Sequence, residues 1–120
     1  MAGRRVGRIT SHVAFDELQR SRARGASGAV RAVFVPVAET ERGVFPQFGY
    51  SIGRRCGGAV TRNALRRRAR AVAQSEAAGL PRGRFLVRLD PGAAGVRPAR
   101  FRADVATALW RAAQAEEKAS

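Results

Sequence analysis

The stretch SIGRRCGGAVTRNALRRRAR, residues 51–70, decides how the rest of this 120-residue chain is read. It opens as the end of a strand and crosses the small-residue turn Cys56, Gly57, Gly58. It then becomes a proline-free run of Ala, Arg and Leu whose pattern predicts a helix from about Gly58 to Ser75, ahead of Gly79 and Pro81. At about 100° per residue, Arg62, Arg66, Arg70, Asn63 and Arg67 fall near 0°, 40°, 80°, 100° and 140°, while Leu65, Ala69 and Val72 fall near 300°, 340° and 280°. One face is arginine and another is core. Arg54, Arg55, Arg62, Arg66, Arg67, Arg68 and Arg70 share a segment without a single acid, so no i,i+4 salt bridge absorbs them within the helix. Solvated charged faces normally mix signs, because like charges at that spacing destabilise a helix. The stripe therefore reads as a phosphate-binding surface, since a planar guanidinium forks two N–H donors onto phosphate oxygens. Asn63 within it suits either a directional bond to a base edge or 2′-hydroxyl, or local capping.

Working outward, Phe48, Tyr50 and Ile52 alternate with Gly49, Ser51 and Gly53, the pattern of a strand with one packed face. The small residues opposite leave room for a flat or extended ligand, although a bulge or a covering helix explains the glycines equally well. Upstream lie a basic arm over residues 1–10 and a helix capped by Thr10 or Ser11 and running to about Arg20, with Val13, Phe15 and Leu18 apolar. Arg22 to Gly28 reads as a breaker, and Ala29 to Val37 as a buried strand followed by a loop to about Gly43. Downstream, Arg84 to Leu89 alternates as a third strand, and Asp90 to Pro98 is a loop. Phe101, Val105, Leu109 and Trp110 mark a terminal helix with a frayed tail over residues 115–120. The order predicts one α/β domain over residues 1–120, of the two-layer α+β kind, with helices packed on a small sheet.

The composition agrees with that assignment. Twenty-three basic and nine acidic residues give a net charge of +14, and Lys118 is the only lysine. Arginine excess is also what a GC-rich genome produces, yet the net charge holds under either cause. With Leu, Ile, Val and Phe supplying only 26 residues, the core is small and self-repulsion large, so a polyanion that neutralises the arginines stabilises the fold. A single cysteine, Cys56, excludes an intrachain disulfide and a multi-cysteine zinc site. No apolar run is long enough for a membrane span, and no signal-peptide pattern follows the basic arm, which makes the cytoplasm the economical location. The nine acids form no clustered carboxylate set suited to two-metal hydrolysis. His12 lacks a sequence partner for acid–base work, and Cys56 reads as a space-limited turn residue, so no catalytic residue is expected.

The 51–70 segment resembles the signature of the bacterial ribonuclease P protein component: a strand, a basic pair, a small-residue turn and an Arg-Asn-Arg-rich helix. The resemblance extends to Arg8, Ile9 and Phe15, the Gly25 and Ser27 turn, the valine-rich strand, the Arg84 to Leu89 strand and the last helix. It implies a four-stranded sheet with about three helices, of the type shared with a ribosomal protein domain, with a left-handed βαβ crossover. It further implies a protein that serves a ribozyme. The catalytic RNA subunit, using Mg2+ held mainly by the RNA, removes the 5′ leader of precursor tRNA, with no membrane and no small-molecule substrate involved. By the same resemblance, Arg54, Arg62, Asn63, Arg66, Arg67, Arg68 and Arg70 face the catalytic RNA. Arg8, Phe15, Ser51, Arg55 and Ala59 belong to the leader cleft. Ala64 departs from the third member of the Arg-Asn-Arg motif, and Arg68 is positioned to replace that contact from the neighbouring face; Gln19 stands where a second aromatic often occurs. The alternatives are a structural RNA-binding protein of ribosomal type, a basic DNA-binding protein, and an autonomous enzyme using His12 or Cys56.

Overall fold

A computed structural model describes residues 7–9 and 12–119, with the side chains of residues 7, 8, 12–15 and 119 left out of the description. The expected capping residues Thr10 and Ser11 and the arm up to residue 6 lie outside the described residues. The elements run β1 (Gly7–Arg8), α1 (His12–Arg20), β2 (Arg24–Ser27), β3 (Val30–Pro36), β4 (Gln47–Ile52), α2 (Ala59–Glu76), β5 (Gly83–Leu89) and α3 (Pro98–Ala119). Short 3-10 turns cover Arg54–Cys56 and Pro91–Gly95. The sheet order is β1-β4-β5-β3-β2. β4 and β5 pair in parallel through α2, the crossover to which the resemblance assigns the left hand, whereas β3 pairs antiparallel with both β5 and β2.

The expected α+β architecture is present, with α1 on the sheet face opposite α2 and α3 and with two additions. The four-stranded sheet gains a two-residue edge strand, β1, parallel to β4. The segment expected only to break the first helix contains β2, which forms a hairpin with β3 across the two-residue turn Gly28, Ala29. Gly28 takes φ +56, the first-position conformation that suits a tight hairpin and favours glycine. Gly25 has a different reason to lack a side chain. A Cβ there would stand 2.4 Å from the Ala108 carbonyl oxygen, because β2 lies directly on the α3 backbone.

Strand alternation sends Phe48, Phe85 and Phe34 to one face, where registered pairing stacks their rings at centroid separations of 5.5 and 4.5 Å. Leu65, Ala69 and Val72 of α2 and Phe101, Val105 and Leu109 of α3 close over this row, so the predicted core faces of both helices are the observed ones. The opposite sheet face carries a much smaller cluster, in which Leu18 of α1 covers Val33, Leu86 and Ile9. Gly49 pairs with Leu86 and is buried. It therefore does not hold that face open as expected, and the open row begins one step along, at Ser51.

Candidate nucleic-acid interface

Gly58, which has no side chain to cap with, precedes α2, so Asn63 is five residues inside the helix and does not cap it. Its Oδ1 instead accepts a hydrogen bond from Arg66 Nη1 at 3.2 Å on the exposed face. Arg62 lies at the boundary between stripe and core, half-buried, and its Nε is buried without a hydrogen-bond partner. An N–H donor left without a partner on a partly exposed guanidinium favours the approach of an anion whose oxygens can accept from it. Arg70 sits 6.0 Å from the centroid of the Tyr50 ring, linking the stripe to β4. Burial pushes the Tyr50 phenol up to about 12, against the opposing pull of the Arg70 charge, so the ring stays neutral beside the guanidinium. Val60, Asn63, Arg66, Arg67 and Arg70 together line a shallow groove, and Val60 is 84 % exposed.

Several arginines elsewhere are engaged within the fold. Arg31 is paired with Asp90 at 3.3 Å, Arg84 with Glu41 at 2.6 Å, and Arg100 with Asp104 at 3.3 Å. Arg82 donates to the Glu41 carbonyl and lies over the Phe45 ring, while Arg111 donates to the Ala26 carbonyl. Among the described residues all three ion pairs lie away from α2, and no acid of the chain neutralises Arg62, Arg66, Arg67, Arg68 or Arg70. Three of the nine acids, Glu41, Asp90 and Asp104, pair with arginines outside α2, and the α2 arginines are left for something outside the fold.

Arg54 and Arg55 are exposed on the 3-10 turn that leads into α2, and Ala59 is exposed at its start. Cys56 anchors that turn: its buried thiol donates to the Leu89 and Asp90 carbonyls at 3.4 and 3.5 Å. This accounts for the cysteine as a structural residue. On the α1 face of the sheet, pairing brings Ser51, Arg88 and Arg31 into one row beside the part that α1 covers. A groove of about 270 Å³ opens there, lined by Arg24, Ala26, Arg31, Val33 and Arg88 among others, and Arg88 Nε is buried without a partner. Ser51 is thus placed with two arginines that the sequence reading did not assign to a site. The signal was present in the alternation of Arg84, Leu86 and Arg88 on one face of β5, but only the packing of α1 shows which end of that face stays open. Phe15 lies on α1 and Arg8 on β1, in register with Phe48; their side chains are outside the described residues.

Among the described residues no three His, Cys, Asp or Glu side chains gather as a metal site, and no helix is long and apolar enough to cross a membrane. An α+β sheet with an unneutralised arginine helix on one side and a second, partly covered cationic face on the other defines a polyanion-binding protein. The family model for Ribonuclease P matches residues 4–113. Ribonuclease P protein components from Acidothermus cellulolyticus and Beutenbergia cavernae are 37 % identical over 94 residues and 35 % identical over 91 residues. These alignments cover 78 % of this chain and 78 % of the first relative, and 75 % and 76 % for the second. The chain belongs to the ribonuclease P protein component family. Solved structures of the Staphylococcus aureus RNase P protein share the fold. A mutant form superposes with a TM-score of 0.75 at 16 % identity, covering 86 % of this chain and 85 % of that one. A second structure gives 0.71 at 18 % identity, covering 88 % and 87 %. These relations favour the ribonuclease P reading over the ribosomal-type, DNA-binding and autonomous-enzyme alternatives. The chain is the protein component of an endoribonuclease whose partner is the ribonuclease P RNA.

Proposed function

We propose that the two cationic faces divide the work, α2 holding the RNA subunit and the open sheet row beside α1 holding the 5′ leader of precursor tRNA. The observation that carries this reading is the allocation of charge: the fold's ion pairs use acids elsewhere and leave Arg62, Arg66, Arg67, Arg68 and Arg70 without a carboxylate partner. Arg54 extends the RNA-subunit surface at the entry to α2. On the leader side, Ser51 and Arg88 supply polar and phosphate contacts beside the Asp90-paired Arg31, with Arg8, Arg55 and Ala59 at the margins. Phe15 provides a stacking surface, which tolerates any base and so suits leaders of unrelated sequence. The chain acts as one RNA-binding domain with a basic N-terminal arm and with the last turn of α3 fraying at the C-terminus, in the cytoplasm. Magnesium chemistry is carried by the RNA. The described residues offer no ligand cluster to hold the ion.

The test is a comparison of affinities for leader-bearing precursor tRNA and mature tRNA by the assembled ribonucleoprotein. Arg88→Gln should lower the precursor-to-mature preference by about three- to tenfold, the scale of one charge-assisted phosphate contact. Arg66→Ala should weaken RNA-subunit binding while leaving that preference in place. A wild-type preference in Arg88→Gln would mean that the leader does not cross the open sheet row.

A further inference from the structure

The arginines of α2 do not form a single surface. Arg62, Arg66 and Arg70 follow one stripe, but Ala64, Arg67, Arg68 and Ala71 centre about 150° further round the helix, at about 140° to 240° on the same wheel. That second face meets α3, and Arg102 projects into the same space. The result is a groove of about 320 Å³ lined by Ala64, Arg67, Arg68, Ala71 and Arg102. Its floor is two alanines and its walls are three guanidinium side chains. No acid lines it, and among the described residues no ion pair or hydrogen bond engages Arg67, Arg68 or Arg102. The nearest carboxylate along α3, that of Asp104, is buried and held by Ser27 at 2.7 Å and Arg100 at 3.3 Å, so it does not neutralise the groove.

We propose that this α2–α3 groove is a second phosphodiester-binding site for the RNA subunit, with Arg102 supplying a guanidinium from α3 opposite Arg67 and Arg68. The proposal rests on the reading of α2 as the RNA-subunit surface and extends it to a residue outside that helix. Three converging guanidinium groups from two helices suit a tetrahedral anion, which can accept from several directions at once. The volume is that of about ten water molecules, enough for a backbone phosphate with part of its hydration. The short alanine side chains let a phosphate approach the helix instead of being held off by it. The RNA subunit is the occupant favoured over the leader because the groove lies on the α2–α3 side of the sheet, whereas Ser51, Arg88 and Arg31 face the α1 side. Arg67 also lines the neighbouring stripe groove with Asn63, Arg66 and Arg70, so one arginine joins two stretches of the same backbone.

The experiment measures RNA-subunit affinity across a salt series for the full chain and for Arg102→Ala, Arg102→Lys, Ala71→Leu and Arg66→Ala, with thermal melting of each free variant alongside. Arg102→Ala should weaken binding about three- to tenfold and reduce the steepness of log affinity against log salt by about 0.7 to 0.9, the contribution of one lost phosphate. Arg102→Lys should restore most of the slope. Ala71→Leu, which fills the groove without changing charge or helix propensity, should weaken binding with the slope reduced as in Arg102→Ala. Wild-type affinity and slope for Arg102→Ala, with Arg66→Ala weakened, would refute the groove alone; wild-type behaviour for both would refute the reading of α2 as well. A loss in Arg102→Ala that appears only as a lower precursor-to-mature preference would assign the groove to the tRNA and overturn the proposal.

Discussion

Removing the carboxamide of Asn63 tests how the arginine stripe is organised. Asn63 Oδ1 accepts from Arg66 Nη1 at 3.2 Å, so it holds the guanidinium in one orientation before any RNA arrives. Fixing a free arginine costs about 1.5–2 kcal/mol of side-chain entropy, and a hydrogen bond of this kind contributes about 0.5–1.5 kcal/mol net. Because the pair is exposed, the lower half of that range applies, about 0.5–1 kcal/mol, or about two- to fivefold in RNA affinity. Asn63→Ala should therefore weaken RNA-subunit binding by that factor while leaving the melting temperature of the free protein close to wild type, since Asn63 neither caps α2 nor contacts the core. The assay is a double-mutant cycle with Arg66→Ala, titrating labelled RNA subunit at fixed salt. If Asn63 acts by orienting Arg66, its loss costs nothing further once Arg66 is gone, and the coupling equals the whole single-mutant effect. An equal cost in both backgrounds would refute this reasoning and make Asn63 an independent reader of the RNA.

Three other perturbations probe the scaffold. Leu18→Ala should cost about 2–4 kcal/mol in denaturant melts, because Leu18 is fully buried against Val33, Leu86 and Ile9 and, among the described residues, is the member of that cluster contributed by α1; a loss below 1 kcal/mol would show that α1 is held by other means. Gly25→Val should destabilise by several kcal/mol, since its Cβ meets the Ala108 carbonyl and the Ala112 amide at 2.4 and 2.5 Å, whereas Gly92→Ala, with open space around it, should be near neutral in the same melts. Tyr50 is the only tyrosine, so tyrosinate absorbance reports it alone. With its folded value raised to about 12 against about 10 unfolded, the neutral phenol contributes stability that is complete below pH 10 and lost as pH rises through about 12. The absorbance midpoint should lie near 12 in the native protein and near 10 in denaturant, and equal midpoints would contradict the burial of the ring.

The legible parts of the fold are those whose own residues carry the period. α2 is amphipathic on its own terms, and its core residues Leu65, Ala69 and Val72 pack as their spacing requires. β3, β4 and β5 likewise announce themselves through Val30, Phe34, Phe48 and Phe85. β2 does not, because Arg24-Gly-Ala-Ser has neither an apolar face nor β-branched residues; it is a strand because β3 offers it a partner and α3 needs Gly25 beneath it. β1 is two residues long and exists only as an edge of β4. The same distinction holds for the site. The stripe of Arg62, Arg66 and Arg70 follows from helical geometry alone, and so does the placement of Arg68 on a neighbouring face. The row of Ser51, Arg88 and Arg31, and the meeting of Arg68 with Arg102, require knowing which strands and helices are neighbours, which no local pattern encodes.

On the proposed reading this chain supplies binding surfaces to a catalytic RNA and no catalytic group of its own. Cleavage of a leader-bearing precursor tRNA at near-physiological magnesium, with the cognate RNA subunit alone, the protein alone and both together, tests it most directly. Efficient cleavage at the mature 5′ end only in the combined reaction, retained when Cys56 and His12 are both replaced by alanine in a folded variant, is the predicted result. Cleavage by the purified protein without the RNA subunit, or a combined reaction no faster than the RNA alone, would contradict it.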